Sequence, residues 1–443
     1  MSCKNIRFIY TFIPLLLIPV FQLFAQNKTD TTAQNWNFHF QQTTVTQYHP
    51  AFHAMYSGAA SLQPKQEIAT SLTSTMFFGR RLWKGAELYF NPEMSGGKGF
   101  SSTLGVAGFP NGEIYRVGDP TPTIYVARCL ITQSFPLSKE YEFNGDEPNS
   151  IAGKDALSFI AITAGKMSIA DYFDDNNYSH DPRTQFLNWS LMSNAAWDYP
   201  ANTRGYTYGI TMEYVAYEWY FTAASSMMPK EANGSVMDLD IAHAHSETLE
   251  LERTFKLGKK SGIIRLLGFY SHARMGNYKL ATLLQPDSPD ITLTRTPGRT
   301  KYGMGINMEQ DLGENSGVFL KASWNDGRNE TWVFTEVDRS ISAGFVFNGR
   351  KRKRVPDFLG FAAVVNGISK DHQNYLKAGG YGFIIGDGKL NYANEMIAEA
   401  YYSFSFQKYH FWLTPDYQFI INPAYNKDRG PVHVFSLRTH IEF

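Results

Sequence analysis

The chain has 443 residues with 41 basic and 41 acidic side chains, and this balance gives no reason to expect a nucleic-acid partner. Its two cysteines are too few for the disulfide framework of a small secreted scaffold. Aromatic residues make up 15% of the chain, which is high for a soluble domain, yet the mean hydropathy is only −0.31. A membrane β-barrel reconciles these values, because its strands alternate lipid-facing and water-facing residues.

The first 25 residues have the pattern of a secretory signal peptide. Lys4 and Arg7 precede an apolar run from about residue 8 to residue 24, and Ala25 follows as a small residue before a polar stretch. The alternative is an anchoring helix, but two prolines interrupt the run and it is shorter than the roughly 20 residues that a span requires. We therefore expect cleavage after Ala25, and a single exported barrel domain over residues 26–443 in which Cys129 is the one cysteine.

Segments with period-two alternation recur along the rest of the chain, and they predict β-strands. In YTYGITMEY, for example, Tyr206, Tyr208 and every second residue to Tyr214 are apolar or aromatic and are predicted to share one face. A soluble β-sandwich could show the same alternation in any one segment. The predicted strands span residues 36–46, 67–76, 84–91, 121–135, 157–168, 204–214, 218–226, 247–256, 261–272, 301–312, 318–325, 340–347, 359–366, 391–406, 410–421 and 432–443. Their number is about sixteen, and bacterial outer-membrane barrels have an even number of strands.

The connections between these strands alternate between short and long. The short ones include FGRRLW, VAYE, LGKKS, LGENSG and QKYH, whereas those around residues 92–120, 169–203 and 273–300 are long. Outer-membrane barrels have short periplasmic turns and longer extracellular loops, so this asymmetry favours a barrel in the bacterial outer membrane. Residues 136–156 are an exception, because they form a long connection on the short side.

The chain ends on VFSLRTHIEF, which predicts a two-faced strand that runs to Phe443. A closed barrel pairs its last strand with its first, because an open edge in lipid would leave backbone groups unsatisfied. A terminal Phe after alternating apolar residues also resembles the signal that the outer-membrane assembly machinery recognises. That machinery and outer-membrane lipid are therefore expected partners. The alternative is a soluble protein that merely ends on a strand.

Several long strings resemble the carbohydrate-selective porins of the OprB type. They are WKGAELYFNPEMSGG (83–97), LGVAGFPNGEIYRVG (104–118), DYFDDNNYSHDPRTQFLNWSLMSNAAWDYPANTRGYTYG (171–209), KRVPDFLGFAAVVNGIS (353–369) and EAYYSFSFQKYHFWLTPDYQFIINP (399–423). The resemblance implies an all-β, sixteen-stranded transmembrane barrel through which monosaccharides and related small carbohydrates diffuse passively. It does not indicate which sugar is preferred.

The third outer connection, about residues 169–203, is predicted to fold into the lumen and narrow the pore. A sugar presents hydroxyl groups on its rim and C–H groups on its faces, so a sugar pore should combine charged or amide hydrogen-bonding groups with aromatic surface. The candidate constriction residues are Glu113, Arg116, Arg128, Asp181, Arg183, Trp189, Trp197, Asp198, Asn202 and Arg204. The alternative for such residues is structural: Asp181 and Arg183 could pin the fold of the loop, and residues 172–177 have the composition of a capped turn.

Other chemistry finds less support in the sequence. Asp240, His243, His245 and Glu247 could bind a divalent metal, but two histidines at this spacing are common by chance, and we predict no metal, no cofactor and no catalysis.

A barrel enzyme of the lipase or protease type would need a nucleophile beside a histidine base, and no motif assembles them. A general diffusion porin without sugar preference is the nearest alternative. A homo-oligomer is possible, since lipid-facing and subunit-facing positions are both apolar.

Overall fold

A closed antiparallel barrel of sixteen strands forms the framework of the molecule. The computed structural model describes residues 33–115, 121–314, 316–348 and 357–443, so the predicted signal peptide and Arg116 lie outside the described residues. All sixteen predicted strands are present, with ends that differ from the predicted ones by up to seven residues, the largest difference being at the end of β2. Each strand pairs with its neighbours along the chain, and the first pairs with the last.

The barrel strands are β1 (Trp36–His49), β2 (Glu67–Trp83), β3 (Ala86–Gly97), β4 (Thr123–Pro136), β7 (Ser158–Met167), β8 (Thr207–Ala216), β9 (Trp219–Met227), β10 (His245–Leu257), β11 (Lys260–Ala273), β12 (Arg299–Gly313), β13 (Ser316–Asn325), β14 (Arg339–Asn348), β15 (Phe358–Gly367), β16 (Glu395–Phe406), β17 (Phe411–Ile421) and β18 (Val432–Glu442). A separate two-stranded hairpin consists of β5 (Tyr141–Asn144) and β6 (Gly153–Ala156). The α-helices are α1 (Trp189–Met192), α2 (Tyr278–Leu284) and α3 (Lys370–Lys377). Within the described ranges, no helix is long and apolar enough to cross a membrane.

Pairing of β1 with β18 closes the barrel, as the alternation in the last strand predicts. The backbone N–H of Phe443 donates to the Phe40 carbonyl at 2.8 Å, and the Phe40 N–H donates to the Phe443 carbonyl at 3.0 Å. Phe435 and Leu437 are exposed on the outer face, whereas Arg438 between strands β17 and β1 is fully buried on the inner face. The same register gives the backbone N–H and C=O groups their hydrogen-bond partners, and it places apolar side chains outside and polar side chains inside the barrel.

The two ends of the barrel differ in the length of their connections. We call the end with short turns, such as residues 258–259 and 407–410, the turn end, and the opposite end the loop end. The exceptional connection of residues 137–157 lies at the turn end and contains the β5–β6 hairpin. Its segment around Asp146 is held to the barrel, because the buried Asn37 amide donates to Asp146 Oδ1 at 2.9 Å and to the Ser150 carbonyl at 3.0 Å.

The loops at the loop end fold inward and pack on one another. Phe100, Phe109, Phe186 and Trp189, from two of these loops, are buried in one hydrophobic cluster. Helices α2 and α3 pack together, with the ring of Tyr278 stacked on His372 at a centroid distance of 4.0 Å. The lumen therefore contains an apolar core, in which loop residues pack against inward-facing residues of the wall such as Phe319, Val364 and Ile397.

The outward face of β12 offers a test of the barrel's position in lipid. Ile306 lies in the middle of the strand and is 40% exposed on the outer face. We expect Ile306→Arg to lower the free energy of unfolding by about 2–4 kcal/mol, because a charge at mid-membrane depth is poorly solvated. Urea unfolding of the protein refolded into lipid vesicles measures the change. Thr300→Arg, on the same face near the loop end, should cost only about 0–1 kcal/mol, and equal costs at both positions would contradict this placement.

Candidate pore constriction

The connection between β7 and β8, residues 168–206, crosses the lumen and is anchored on the far wall. The Glu399 carboxylate of β16, which stands opposite β7 and β8 in the ring of strands, accepts from the backbone N–H of Leu187 at 2.5 Å and of Asn188 at 3.0 Å. The Arg438 guanidinium of β18 donates to the carbonyl oxygens of Pro182 and Gln185, each at 2.7 Å. Wall side chains thus satisfy the backbone of a buried loop that has no strand partner of its own.

The connection after β3 enters the lumen beside it. Its backbone N–H groups at Ala107 and Gly108 donate to the Glu395 carboxylate of β16 at 3.0 and 2.7 Å. The two connections also bind each other, because the Trp189 indole N–H donates to the Asn111 carbonyl at 2.8 Å. Trp189 stacks on Phe334, with ring centroids 5.7 Å apart. The two loops form one unit, which places charged side chains of both loops next to each other.

At this junction Arg183 faces two carboxylates. Its Nε is 3.2 Å from the Glu113 carboxylate, and its Nη2 is 3.7 Å from Glu93 Oε2. Glu93, which is buried on the inner face of β3, also accepts from the hydroxyls of Tyr125 at 2.5 Å and Tyr206 at 2.9 Å. The result is a cation and two acids held at fixed positions inside the barrel.

A cavity of about 130 Å³ lies on the loop side of this group. Five of the predicted residues line it: Glu113, Arg183, Trp189, Asn202 and Arg204. The Arg204 guanidinium lies over the Tyr125 ring at 4.1 Å from its centroid and over the Tyr115 ring at 5.0 Å. This loop-side cavity therefore combines charged, amide and aromatic surface.

A larger cavity, of about 490 Å³, lies on the turn side. Phe358 and Trp412, which are near the ends of their strands at the turn end, line it together with Tyr401. Asp311 contributes a carboxylate that accepts from the Tyr178 hydroxyl at 2.6 Å. Among the described residues, Arg183 alone lines both this turn-side cavity and the loop-side cavity. Arg183 therefore borders both spaces.

Burial and the neighbouring Arg183 charge shift the pKa values of the loop carboxyl groups in opposite directions. Burial raises the pKa of Glu113 above its ordinary value, although the Arg183 charge opposes this. For Asp181, burial alone would raise the pKa, but the Arg183 charge and the hydrogen bond from the Arg183 backbone N–H outweigh it and the pKa is lowered. Asp181 is thus held ionised within the loop, whereas Glu113 is more easily protonated.

Four of the predicted residues line neither cavity and bind other parts of the protein: Arg128, Asp181, Trp197 and Asp198. Arg128 on β4 makes a bidentate ion pair with Asp171, at 2.6 and 2.5 Å. Asp181 accepts from the Arg183 N–H at 3.0 Å and so folds its own turn. These contacts correspond to the structural alternative for such residues, in which charges hold the loop.

Trp197 and Asp198 are likewise buried among loops. The Trp197 ring packs between Phe173 and Tyr199, at centroid distances of 6.1 and 5.4 Å. The Asp198 carboxylate accepts from the backbone N–H groups of residues 332, 333 and 334 at 2.8, 2.8 and 3.0 Å. Asp198 therefore orders the segment after β13, which carries Phe334 to the cavity wall.

Sequence reasoning missed several residues that line the loop-side cavity, including Glu93, Tyr125, Tyr206 and Phe334. The prediction that Tyr206 shares the face of Tyr208 is wrong: β8 begins at Thr207, and Tyr206 is buried inside while Tyr208 is exposed outside. A residue that precedes a strand does not follow its alternation. Glu93 could have been found, because it is an acid on the inner register of a strand that extends beyond its predicted end at residue 91.

Comparisons with known proteins give a family match and a fold match. A family model described as carbohydrate-selective porin, OprB family, matches residues 59–443, and no curated protein sequence matches the chain. The high-pH structure of OprB from Pseudomonas putida has a TM-score of 0.70 at 14% identity, over 92% of this chain and 94% of that chain. The low-pH structure of the Pseudomonas putida protein has a TM-score of 0.50 at 12% identity, over 92% and 93%. At these identities the likeness establishes the fold.

The lowered pKa of Asp181 makes a prediction about acid stability. We expect Asp181→Asn to lower the free energy of unfolding by about 1–2 kcal/mol at neutral pH, because a charged acceptor for the Arg183 N–H is lost. An acid whose pKa is lower in the folded state stabilises above its unfolded pKa of about 3.9, and this contribution disappears as the pH falls through the folded value. Urea unfolding between pH 7 and pH 3 should show the two proteins converging in acid. The exposed Asp287→Asn is the control, and a difference that is independent of pH would refute the assignment.

Proposed function

The chain belongs to the OprB family of carbohydrate-selective porins, and we propose that it lets monosaccharides and related small sugars cross the outer membrane by passive diffusion through its lumen. The observation that carries this proposal is the position of Arg183, between the loop-side and turn-side cavities and opposite Glu93 and Glu113. A solute that moves between the two cavities passes the Arg183 cation and the carboxylates of Glu93 and Glu113.

The two cavities supply the groups that a sugar requires. Arg204 and Asn202 offer hydrogen-bond donors and acceptors on the loop side, next to the rings of Tyr125 and Tyr115. On the turn side, the Trp412 ring offers a flat surface to the C–H faces of a sugar, and Asp311 offers a carboxylate to its hydroxyls. Transport needs no tight site, since a pore must also release its solute.

The charges around Arg183 favour neutral, hydroxylated solutes. The Arg183 cation lies 3.2 Å from Glu113 and 3.7 Å from Glu93, so opposite charges stand side by side at this point, and an ion of either sign meets repulsion from one of them. A sugar carries no net charge and can replace water at both the guanidinium and the carboxylates. The family is one of porins, which gives no support to the alternative of a barrel lipase or protease. A general diffusion porin differs from the proposal in having no such preference.

Removal of the Arg183 side chain should open the junction. We expect Arg183→Ala to raise single-channel conductance and to shift ion selectivity toward cations, because space is gained and Glu93 and Glu113 lose their counter-charge. Planar-bilayer recordings with asymmetric salt measure both quantities.

Two further variants make this result specific. Arg183→Lys keeps the charge without the planar fork, so its selectivity should remain close to that of the parent protein. Arg253→Ala removes an arginine whose guanidinium lies 4.9 Å from the Trp219 ring centroid near the turn end, and it should leave both quantities unchanged. A folded Arg183→Ala variant with parental conductance and selectivity would assign Arg183 to the scaffold alone.

The aromatic surface of the turn-side cavity predicts a loss of sugar preference. We expect Trp412→Ala to lower the rate of hexose entry relative to a zwitterionic amino acid by about twofold to fivefold, which corresponds to roughly 0.5–1 kcal/mol. Swelling of protein-loaded liposomes in the two solutes gives the ratio. Trp324→Ala, which removes a tryptophan exposed on the outer face of β13, should leave the ratio unchanged. An unaltered ratio in Trp412→Ala would remove Trp412 from the sugar path.

A further inference from the structure

Two histidines lie side by side on the outer face of the barrel at the loop end. His245 is the first residue of β10, and the register of the sheet places it directly opposite His272 on β11. Glu247 lies two residues further along β10, on the same face. This face is the one that carries the exposed Leu249 and Leu251 toward the middle of the strand. The three side chains therefore occupy the margin of the apolar outer surface.

The geometry of this group is compact. The His245 and His272 rings are stacked, with centroids 4.4 Å apart and an angle of 15° between their planes. His245 Nδ1 and Glu247 Oε1 are 2.7 Å apart. One nitrogen from each histidine and one carboxylate oxygen all lie within 4.8 Å of one another, and all three residues are partly buried.

We propose that His245, Glu247 and His272 form a binding site for zinc or a similar divalent transition metal on the outside of the barrel. Zinc binds histidine nitrogen and carboxylate oxygen at about 2.0–2.2 Å, which places tetrahedral ligand atoms roughly 3.3 Å apart. Because the two imidazole rings are stacked, their nitrogen lone pairs run nearly parallel, so one ring must turn about its side-chain bonds for both nitrogens to reach the same ion. Two imidazoles and one carboxylate disfavour Mg²⁺ and Ca²⁺, which prefer oxygen ligands.

The strand register, more than the local sequence, brings this group together. The run DIAHAHSE also contains Asp240 and His243, but these two are exposed and pair with each other at 2.9 Å. The third ligand, His272, comes instead from the neighbouring strand, and its ring is braced edge-on by Tyr270 at 4.7 Å. Because β10 and β11 are already paired along their length, the backbone positions of the ligand residues are fixed, and an ion would bridge the two strands.

Such a site leaves one coordination position open. Zinc that is held by three protein ligands keeps a fourth position, which water or another ligand fills. The site itself lies at the loop end of the outer face, at the margin of its apolar surface. The site lies on the outer face of the barrel, whereas Arg183 lines the cavities inside it, so occupancy should not alter sugar passage.

Zinc titration of the full-length folded protein, without an affinity tag, tests the proposal. In detergent micelles at pH 7.5, isothermal calorimetry should show one saturable site per chain, and Co²⁺ should give the visible absorption of a tetrahedral complex. His245→Ala and His272→Ala should each weaken zinc binding at least about tenfold, and Glu247→Gln should weaken it to a similar or smaller degree. His243→Ala is the matched control and should bind as the parent does.

Three results would overturn the assignment. They are no saturable zinc binding by the parent protein, binding that persists unchanged in His272→Ala, or binding that is lost in His243→Ala. Heat-modifiable migration in gels confirms that each variant is folded. A parental channel conductance in the histidine variants verifies that loss of zinc binding reflects the site and no wider damage to the barrel.

Discussion

In lipid, every backbone N–H and C=O must find a partner within the protein, and the rest of this structure depends on that constraint. It requires β18 to pair with β1, and hence a regular strand up to Phe443. A regular strand alternates its side chains, so one face must suit lipid and the other faces the lumen. The inward face then provides polar and charged groups along the whole height of the barrel.

Those inward groups solve a second problem of backbone pairing, this time inside the lumen. The loops that enter it have few strand partners, and the wall supplies carboxylates for their N–H groups and cations for their carbonyl oxygens. Glu395 and Glu399 hold the two loops at residues 107–108 and 187–188, while Arg438 and Lys321 hold the carbonyls of the longer loop. The loops are thereby fixed firmly enough to position Arg183 between two cavities. A charged residue in the lumen can therefore either hold the loops in place or face the passing solute, and its contacts show which of these roles it has.

The fold was largely predictable because its signals are local. Period-two alternation, the difference between short and long connections and the two-faced final segment are all visible within a few residues, and they predict the sixteen strands. The hairpin of β5 and β6 was not predicted, since the only sign of it was the unexpected length of residues 136–156. The ends of strands were less accurate, and this is why Tyr206 was assigned to the wrong face and Glu93 was overlooked.

The candidate site was only partly predictable. The residue types suited to sugar occur together in one loop, but the residues that they contact are distant in the sequence. Residue types suited to sugar are present in the long loop, yet nothing nearby in sequence shows that Asp198 binds the backbone at residues 332–334 or that Arg128 binds Asp171. Likewise, His272 joins His245 only through the pairing of two strands. Which polar residues face open space depends on long-range packing, and a single sequence does not contain that information in readable form.

The most direct test of the central claim is the current through single channels of the unmodified protein in a planar bilayer, recorded while a neutral hexose is added. The account predicts stable open steps whose current falls in a saturable manner with hexose, and does not fall with an equal osmolarity of a solute too bulky to enter. Open steps that are indifferent to hexose would contradict a sugar-interacting constriction and indicate a general diffusion pore. The absence of any conductance from correctly folded protein would contradict the channel itself.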